Sequence, residues 1–367
     1  MTAPVLLSVF PTFAVGGAQI RFTTLANQFG SAWRHVIVAM DGVTAVRDRL
    51  DPALAATFPE IDVRKGDMIG NVRRFRAALR AFQPQALLTH NFGSIEWSMA
   101  NRLALTHQVH VEDGFGPEER ERQLPRRVLL RRVFLRGRTV ALPSKTLMRI
   151  ASETWRLDRR RLHYVPNGID LARFSGPATS QPWPGQGPVV GTVAALRPEK
   201  NVARLIRAFH LATIDEPARL VLIGDGSERG PLERLVGELG IGERVHFAGH
   251  VAQPAALLKA FDLFAMSSDT EQMPISLLEA MASALPVAAT DVGDIRTMLP
   301  VEQGEFVTAR DDRALAAALG VLIGNADLRQ SLGRRNRRKA EDDFGQESML
   351  SRWSDLLAGA DRASSIG

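Results

Sequence analysis

Apolar runs of four to seven residues alternate along this chain with stretches in which apolar positions recur every three or four residues. The first pattern is that of strands buried on both faces; the second is that of helices with one buried face. Val5–Phe10 reads as a strand, Gly17–Phe29 as a helix and His35–Met40 as the next strand. Ala86–His90, Gln108–Glu112, Thr139–Leu142 and Leu162–Val165 continue the strand series, most of them separated by helix-length segments. The alternation starts again further on. Strands are expected at Val189–Ala194, Arg219–Ile223, Val245–Ala248, Asp262–Ser268 and Pro286–Thr290, with helices at Val202–Leu211, from Ile275 to about Ser283, and from Ala314 nearly to the end. Alternation of this kind predicts parallel sheets with helices on both faces, an α/β class.

Between the two series lies Ser175–Pro188, with four Pro and three Gly in fourteen residues, the composition of a linker. The expected organisation is a first doubly wound domain over 1–174, a linker over 175–188 and a second domain over 189–345. A last helix over 346–367 is expected to return to the first domain. Two such domains are expected to form a cleft at the carboxyl ends of their strands, where open α/β sheets bind ligands.

The stretch Ser267–Asp294 concentrates the chemistry. An apolar strand ends in a loop carrying Asp269, Glu271 and Gln272, and a helix begins after Met273-Pro274. The unpaired amides of that first turn, Met273, Pro274, Ile275 and Ser276 being the residues around it, sit at the positive end of a helix dipole and suit a phosphate. Glu271 lies in the loop and Glu279 one turn into the helix, with seven residues between them. After the first strand of the same domain come Arg197 and Lys200, fixed positive charges suited to a diphosphate leaving group. Gly224-Asp225-Gly226 and Gly249-His250 are strand-end turns in the same half. In the first half, Gly16-Gly17 mark the turn from strand to helix, and His110, Glu112 and Asp113 crowd one strand end. Asn167-Gly168 form a turn after Val165-Pro166. A group facing a ligand in the first half is one of His110, Glu112 and Asp113.

Glu271 and Glu279, followed by Ala280-Met281-Ala282 and Leu285-Pro286-Val287, resemble the signature of the retaining glycosyltransferases of the GT-B fold, family 4 type (glycosyl transferases group 1). Val165-Pro166-Asn167-Gly168-Ile169-Asp170 resembles the stretch that ends the first domain in that family. The resemblance implies a GT-B architecture of two Rossmann-like domains and transfer of a sugar from a UDP- or GDP-sugar, the nucleotide sugar being a co-substrate and not a bound cofactor. It implies that Glu271 meets the donor sugar, that Glu279 holds the ribose, and that the amides after Glu271 hold the diphosphate. Gly224 and Gly226 would line the nucleotide site and His250 the base, with Gly16 and Gly17 beside the acceptor and Asn167 at the cleft. Three positions depart from the family pattern: Gln272 stands for Gly, Ala195 for Arg and Asp113 for His. Arg197 would then act from a shifted position, and Asp113 would serve as the acidic group. A silent nucleotide-sugar sensor or partner subunit is the alternative outside catalysis, and an epimerase or hydrolase on the same fold the alternative within it.

Composition narrows the setting. A chain of 367 residues with 45% hydrophobic content can bury two cores. Cysteine is absent, which excludes thiolate chemistry and agrees with a reducing cytoplasm. The start of the chain reads as a strand, not a signal peptide, and no apolar run approaches a membrane span. Of 46 Lys and Arg, only five are Lys. No basic stripe interleaved with aromatics appears, so nucleic acid is not an expected partner. No metal site is expected, because helix amides and basic side chains can neutralise the diphosphate. The segment Arg120–Arg138 reads as a basic helix whose apolar side, with Val128, Leu129, Leu130, Val133 and Phe134, packs on the sheet. Arg126, Arg127, Arg131, Arg132 and Arg136 would remain outside, able to meet an anionic membrane surface. With a glycan, lipid-linked or envelope polysaccharide acceptor, the expected location is cytoplasmic and peripheral to the membrane.

Overall fold

A computed structural model describes residues 3–119, 122–176, 183–214 and 216–364. Two compact units emerge: Met1–Asn167 with Glu347–Gly367, and Gly168–Gln346.

The first unit runs β1 (Val5–Phe10), α1 (Gly17–Phe29), β2 (Arg34–Ala39), β3 (Ala56–Thr57), α2 (Met68–Phe82), β4 (Ala86–His90), α3 (Ile95–Ala100), β5 (His107–Val111), α4 (Pro125–Phe134), β6 (Thr139–Leu142), α5 (Lys145–Glu153) and β7 (Leu162–Tyr164). Its seven strands lie in the order β3-β2-β1-β4-β5-β6-β7, every pair parallel. Because side chains alternate across a strand, Leu6 and Phe10 enter one layer with Phe22 and Leu25 of α1. Val5, Leu7 and Val9 enter the other, with Phe75, Leu79 and Trp97. Each such burial contributes roughly 1.5–3 kcal/mol. The edge strand β3 was not expected; two residues are too few to show a period.

The second unit runs β8 (Val189–Val193), α6 (Val202–Ala212), β9 (Arg219–Ile223), α7 (Arg229–Glu238), β10 (Val245–Gly249), α8 (Ala255–Leu258), β11 (Leu263–Met266), α9 (Ile275–Ala282), β12 (Val287–Thr290), α10 (Ile295–Met298), β13 (Val307–Thr308), α11 (Asp312–Gly324) and α12 (Ala326–Asp343). Its six strands are ordered β10-β9-β8-β11-β12-β13, again all parallel. Val190, Leu220, Leu222 and Leu263 pack with α6 and α11 on one face. Val189, Val221, Phe264 and Met266 pack with Leu277 and Met281 of α9 on the other.

The division of the chain differs from the expectation drawn from the linker composition. Residues 168–174 belong to the second unit, because Ile169 donates to the Phe344 carbonyl at 2.8 Å and accepts from Gln346 at 3.1 Å. Ile169 and Phe174 are also part of that unit's core. Of the expected linker, 177–182 lie outside the described residues. The last helix, α13 (Gln346–Ser364), buries Met349, Trp353 and Leu357 in the first unit's core.

Candidate active site

In each unit the strand order reverses at one place, between β1 and β4 in the first and between β8 and β11 in the second. Loops leaving the carboxyl ends of those neighbouring strands diverge, and the crevice between them is where such sheets receive ligands.

At the reversal in the second unit, the loop after β8 supplies Arg197 and Lys200, and the loop after β11 supplies Glu271. Lys200 Nζ lies 2.5 Å from Glu271 Oε1, which also accepts from Ser268 Oγ at 2.8 Å. The two side chains are 26% and 9% exposed, so this pair lines a small recess and is not a free surface ion pair. Lys200 thus pairs across the crevice and not with its neighbour Glu199. Arg197 is exposed, and no side-chain partner for it occurs among the described residues.

The loop is held from below. Asp269 accepts from Arg204 Nη1 at 2.7 Å and from Asn201 Nδ2 at 3.1 Å. Its carboxylate therefore serves to anchor α6 to the loop. The Ser268 carbonyl accepts from Thr290 Oγ1 at 2.6 Å. Gly293, at φ 58°, lies so close that a Cβ there would come within 2.3 Å of the Glu271 carbonyl oxygen. Gly224 and Gly226 play the same part on the other side, where an added Cβ would strike the carbonyls of Ala194 and Leu196. These glycines let two strand-end loops touch through their backbones.

Helix α9 starts from Met273, which is buried, and Pro274, whose side chain cannot cap the first turn. The helix begins with Ile275 and Ser276, both partly exposed, so the positive end of its dipole opens toward Lys200 and Glu271 in the recess that Ser276 also lines. Glu279 follows one turn later, partly buried. Burial pushes its carboxyl up to about 7, against the opposing charge of Arg173. Among the described residues its carboxyl has no hydrogen-bond partner, so both oxygens are free to accept from a ligand. His250 is exposed just after Gly249 at φ 71°.

The carboxyl ends of the first sheet look different. Gly16 caps α1 without a side chain, and Gly17 begins the helix. His110 and Glu112 are fully buried, which corrects the expectation that either could face a ligand. Glu112 receives Arg131 Nε at 3.1 Å and Nη2 at 3.2 Å, and its Oε2 lies 3.3 Å from His110 Nε2. His110 Nδ1 is 2.9 Å from Thr89 Oγ1. The same guanidinium donates to both oxygens of Glu119, at 3.2 and 3.1 Å, and is walled by Phe92, Trp155 and Phe115. Burial pushes the Glu112 carboxyl up, but Arg131 and His110 outweigh it and hold the group below the usual carboxylate range.

Asp113 is the member of the trio that reaches the surface, 14% exposed. It is oriented by Arg21 Nη2 at 2.6 Å. The other arm of Arg21, Nη1, donates to Asn167 Oδ1 at 2.9 Å, so buried Asn167 is a partner of α1. Sequence patterns missed Arg21, Arg173, Arg204 and Ser268. The helix-cap spacing from Asn201 to Arg204 was a usable signal for one of them.

Helix α4 corrects the expected basic face. Arg131 points inward, Arg127 is paired with Glu118 and Glu119, and Arg132 donates to the Thr154 carbonyl. Outward lie Leu129 and Val133, 56% and 48% exposed, with Arg126 and Arg136. Arg120, at the start of the expected segment, lies outside the described residues.

The chain is similar to known glycosyltransferases in sequence and in fold. The family model "Glycosyltransferase Family 4" matches residues 15–173, and "Glycosyl transferases group 1" matches 178–339. A D-inositol 3-phosphate glycosyltransferase from Nocardia farcinica is 31% identical over 255 residues, covering 64% of this chain and 55% of that protein. A lipopolysaccharide core biosynthesis glycosyltransferase, LpsE, from Rhizobium meliloti is 32% identical over 191 residues, covering 52% and 53%. The chain spans about half the length of these curated relatives. The structure of Anabaena Alr3699/HepE in complex with UDP superposes with a TM-score of 0.81 at 18% identity, over 97% of this chain and 100% of that one.

Proposed function

The chain belongs to the GT-B glycosyltransferases covered by the group 1 and family 4 models, and from that premise we propose that it transfers a sugar, with retention, from a nucleotide diphosphate donor to a glycan or lipid-linked acceptor. The observation that carries this reading is the Lys200–Glu271 pair beside the uncapped start of α9, with Glu279 one turn away.

A diphosphate at that helix start would be met by the first-turn amides and by Lys200 and Arg197. Lys200 would exchange its carboxylate for phosphate, and Glu271, released, would accept hydroxyls of the donor sugar. As the C1–O bond to the leaving phosphate lengthens, negative charge grows on the diphosphate, and a fixed ammonium stabilises it most at that stage. Glu279 would accept the ribose hydroxyls. Asp113, oriented by Arg21, is the acidic group we assign to sugar hydroxyls in the first unit. No side chain is assigned as a nucleophile.

UDP is the first donor nucleotide to test, since a structural neighbour holds it. Phosphoinositol and lipopolysaccharide-core relatives make a phosphorylated or envelope acceptor the matching choice. The donor phosphates would be neutralised by protein groups, so turnover should persist in a chelator. No helix among the described residues is long and apolar enough to cross a membrane. Peripheral attachment through the outward face of α4, with Leu129 and Val133 between Arg126 and Arg136, fits a lipid-linked acceptor.

The test is incubation with a panel of nucleotide sugars and acceptors, followed by nucleotide release and the anomeric configuration of the product. Release coupled to a product of unchanged configuration is expected. Donor binding without release for any acceptor would overturn the reading, and an inverted product would overturn its stereochemical part.

A further inference from the structure

The amino ends of the first unit's strands hold a second feature, at the end of the sheet opposite the site described above. The segments just before β4, β5, β6 and β7 enclose a cavity of about 400 Å³, within the range of small-molecule sites. Its lining includes Arg138, Arg161 and His107, together with Thr106 and Thr139, and no Asp or Glu among the described residues.

Elsewhere at the sheet's other end, this unit compensates the arginines it buries with carboxylates: Arg131 has Glu112 and Glu119, and Arg21 has Asp113. The cavity lacks that compensation. Arg138 gives Nη2 to the Asn101 carbonyl at 2.6 Å, closing the C-terminus of α3, where a cation is favoured. No carboxylate meets its remaining donors, and burial alone draws its guanidinium below the usual value. The Arg161 side chain makes no hydrogen bond or ion pair among the described residues. Asp158, three positions before it, is bound by Arg160 at 3.0 Å and acts on Arg161 only through its charge, without an ion-pair contact. His107 is lowered by burial and also by the charge of Arg161, the Leu356 carbonyl at 3.1 Å opposing this only in part. Basic groups that repel one another around an accessible hollow are relieved by a bound anion.

We propose that this cavity binds the phosphate dianion of a small phosphorylated molecule. Two guanidinium forks match phosphate oxygens in geometry and charge. The Thr139 hydroxyl, for which no partner occurs among the described residues, supplies a further donor. Leu105 gives the lining an apolar part for the remainder of the ester. The dianion can arrive on a free phosphate ester or on a phosphorylated lipid headgroup, the chemistry being the same.

Calorimetric titration with inorganic phosphate tests this in a Lys200→Ala background, which weakens the donor-diphosphate site of the second unit. Binding with one site is expected. It should weaken at least about tenfold when Arg161→Gln is added and disappear with Arg161→Glu, while the melting temperature stays nearly unchanged because the Arg161 side chain is exposed and makes no hydrogen bond or ion pair among the described residues. Arg161→Gln alone should leave transferase turnover as it was. No binding in the Lys200→Ala protein, or equal affinity with and without Arg161, would overturn the proposal. Vesicles containing phosphatidic acid then separate the sources. Vesicle binding abolished by Arg161→Gln identifies a lipid headgroup, whereas vesicle binding untouched by it, alongside lost phosphate binding, identifies a free ester.

Discussion

The carboxyl ends of the two sheets are built from similar residues to opposite effect. In the first unit, Arg131 is fully buried, shared by two carboxylates and enclosed by three aromatic rings. Charges there are spent on one another. In the second, Lys200 meets a single carboxylate, Arg197 has no side-chain partner among the described residues, α9 begins without a side-chain cap and the Glu279 carboxyl makes no hydrogen bond among the described residues. Complete satisfaction marks a network that orders the fold, and incomplete satisfaction beside a crevice marks one that a ligand completes.

The contrast is most exposed to failure at Arg131. Arg131→Met leaves Glu112 buried without its arginine, and Glu119 with Arg127 alone, and should cost about 3–5 kcal/mol of stability, read by urea unfolding. A loss below 1 kcal/mol would show that water already compensates those carboxylates. Lys200→Ala should act the other way round. Turnover is expected to fall about 10²-fold or more with the unfolding midpoint nearly unchanged, since leaving-group charge loses its partner. A rise in donor KM with kcat intact would make Lys200 a uniform binder.

Glu279 sharpens the comparison, because function and stability should pull apart there. Its folded carboxyl titrates near 7 instead of 4.5, so the folded protein holds the extra proton between those values. The resulting stability is fully present below about 4.5 and is lost as pH rises through 7. Donor affinity, which uses the ionised form, should rise over the same interval. Glu279→Gln should therefore weaken the donor by roughly 1.5–3 kcal/mol at pH 8 and flatten both pH dependences. Unchanged slopes in the variant would remove Glu279 from the ribose role. The smallest effect concerns the outward face of α4: Arg126→Glu with Arg136→Glu should reduce partition onto anionic vesicles by about 1 kcal/mol per arginine. Equal binding to neutral vesicles would leave the face without an electrostatic role.

What was readable from sequence follows from range. Strands β1, β4, β9 and β11 and helix α9 announced themselves by local period, and the Glu271 to Glu279 spacing by proximity in the chain. The inward turn of Arg131 did not. A helix of alternating Leu and Arg pairs suggests an apolar inner face, and only Glu112 and Glu119, brought together by the fold, make the arginine the buried one. The same holds for Asp113, whose direction depends on Arg21 on a helix about ninety residues earlier. The division at Asn167 was hidden as well, because the Pro- and Gly-rich composition of a linker lies further along, at 175–188. A backbone pairing of Ile169 with Phe344 and Gln346 decided it.

On the proposed function, the second unit's incompletely satisfied site holds the donor, while the first unit's closed network holds the fold. Calorimetric titration of UDP and GDP into the wild type, Lys200→Ala and Arg131→Met proteins, each below its unfolding temperature, tests it most directly. One nucleotide is expected to bind the wild type, Lys200→Ala to weaken it at least about tenfold, and folded Arg131→Met to bind it as the wild type does. Nucleotide affinity unaffected by Lys200→Ala but lost in folded Arg131→Met would contradict it.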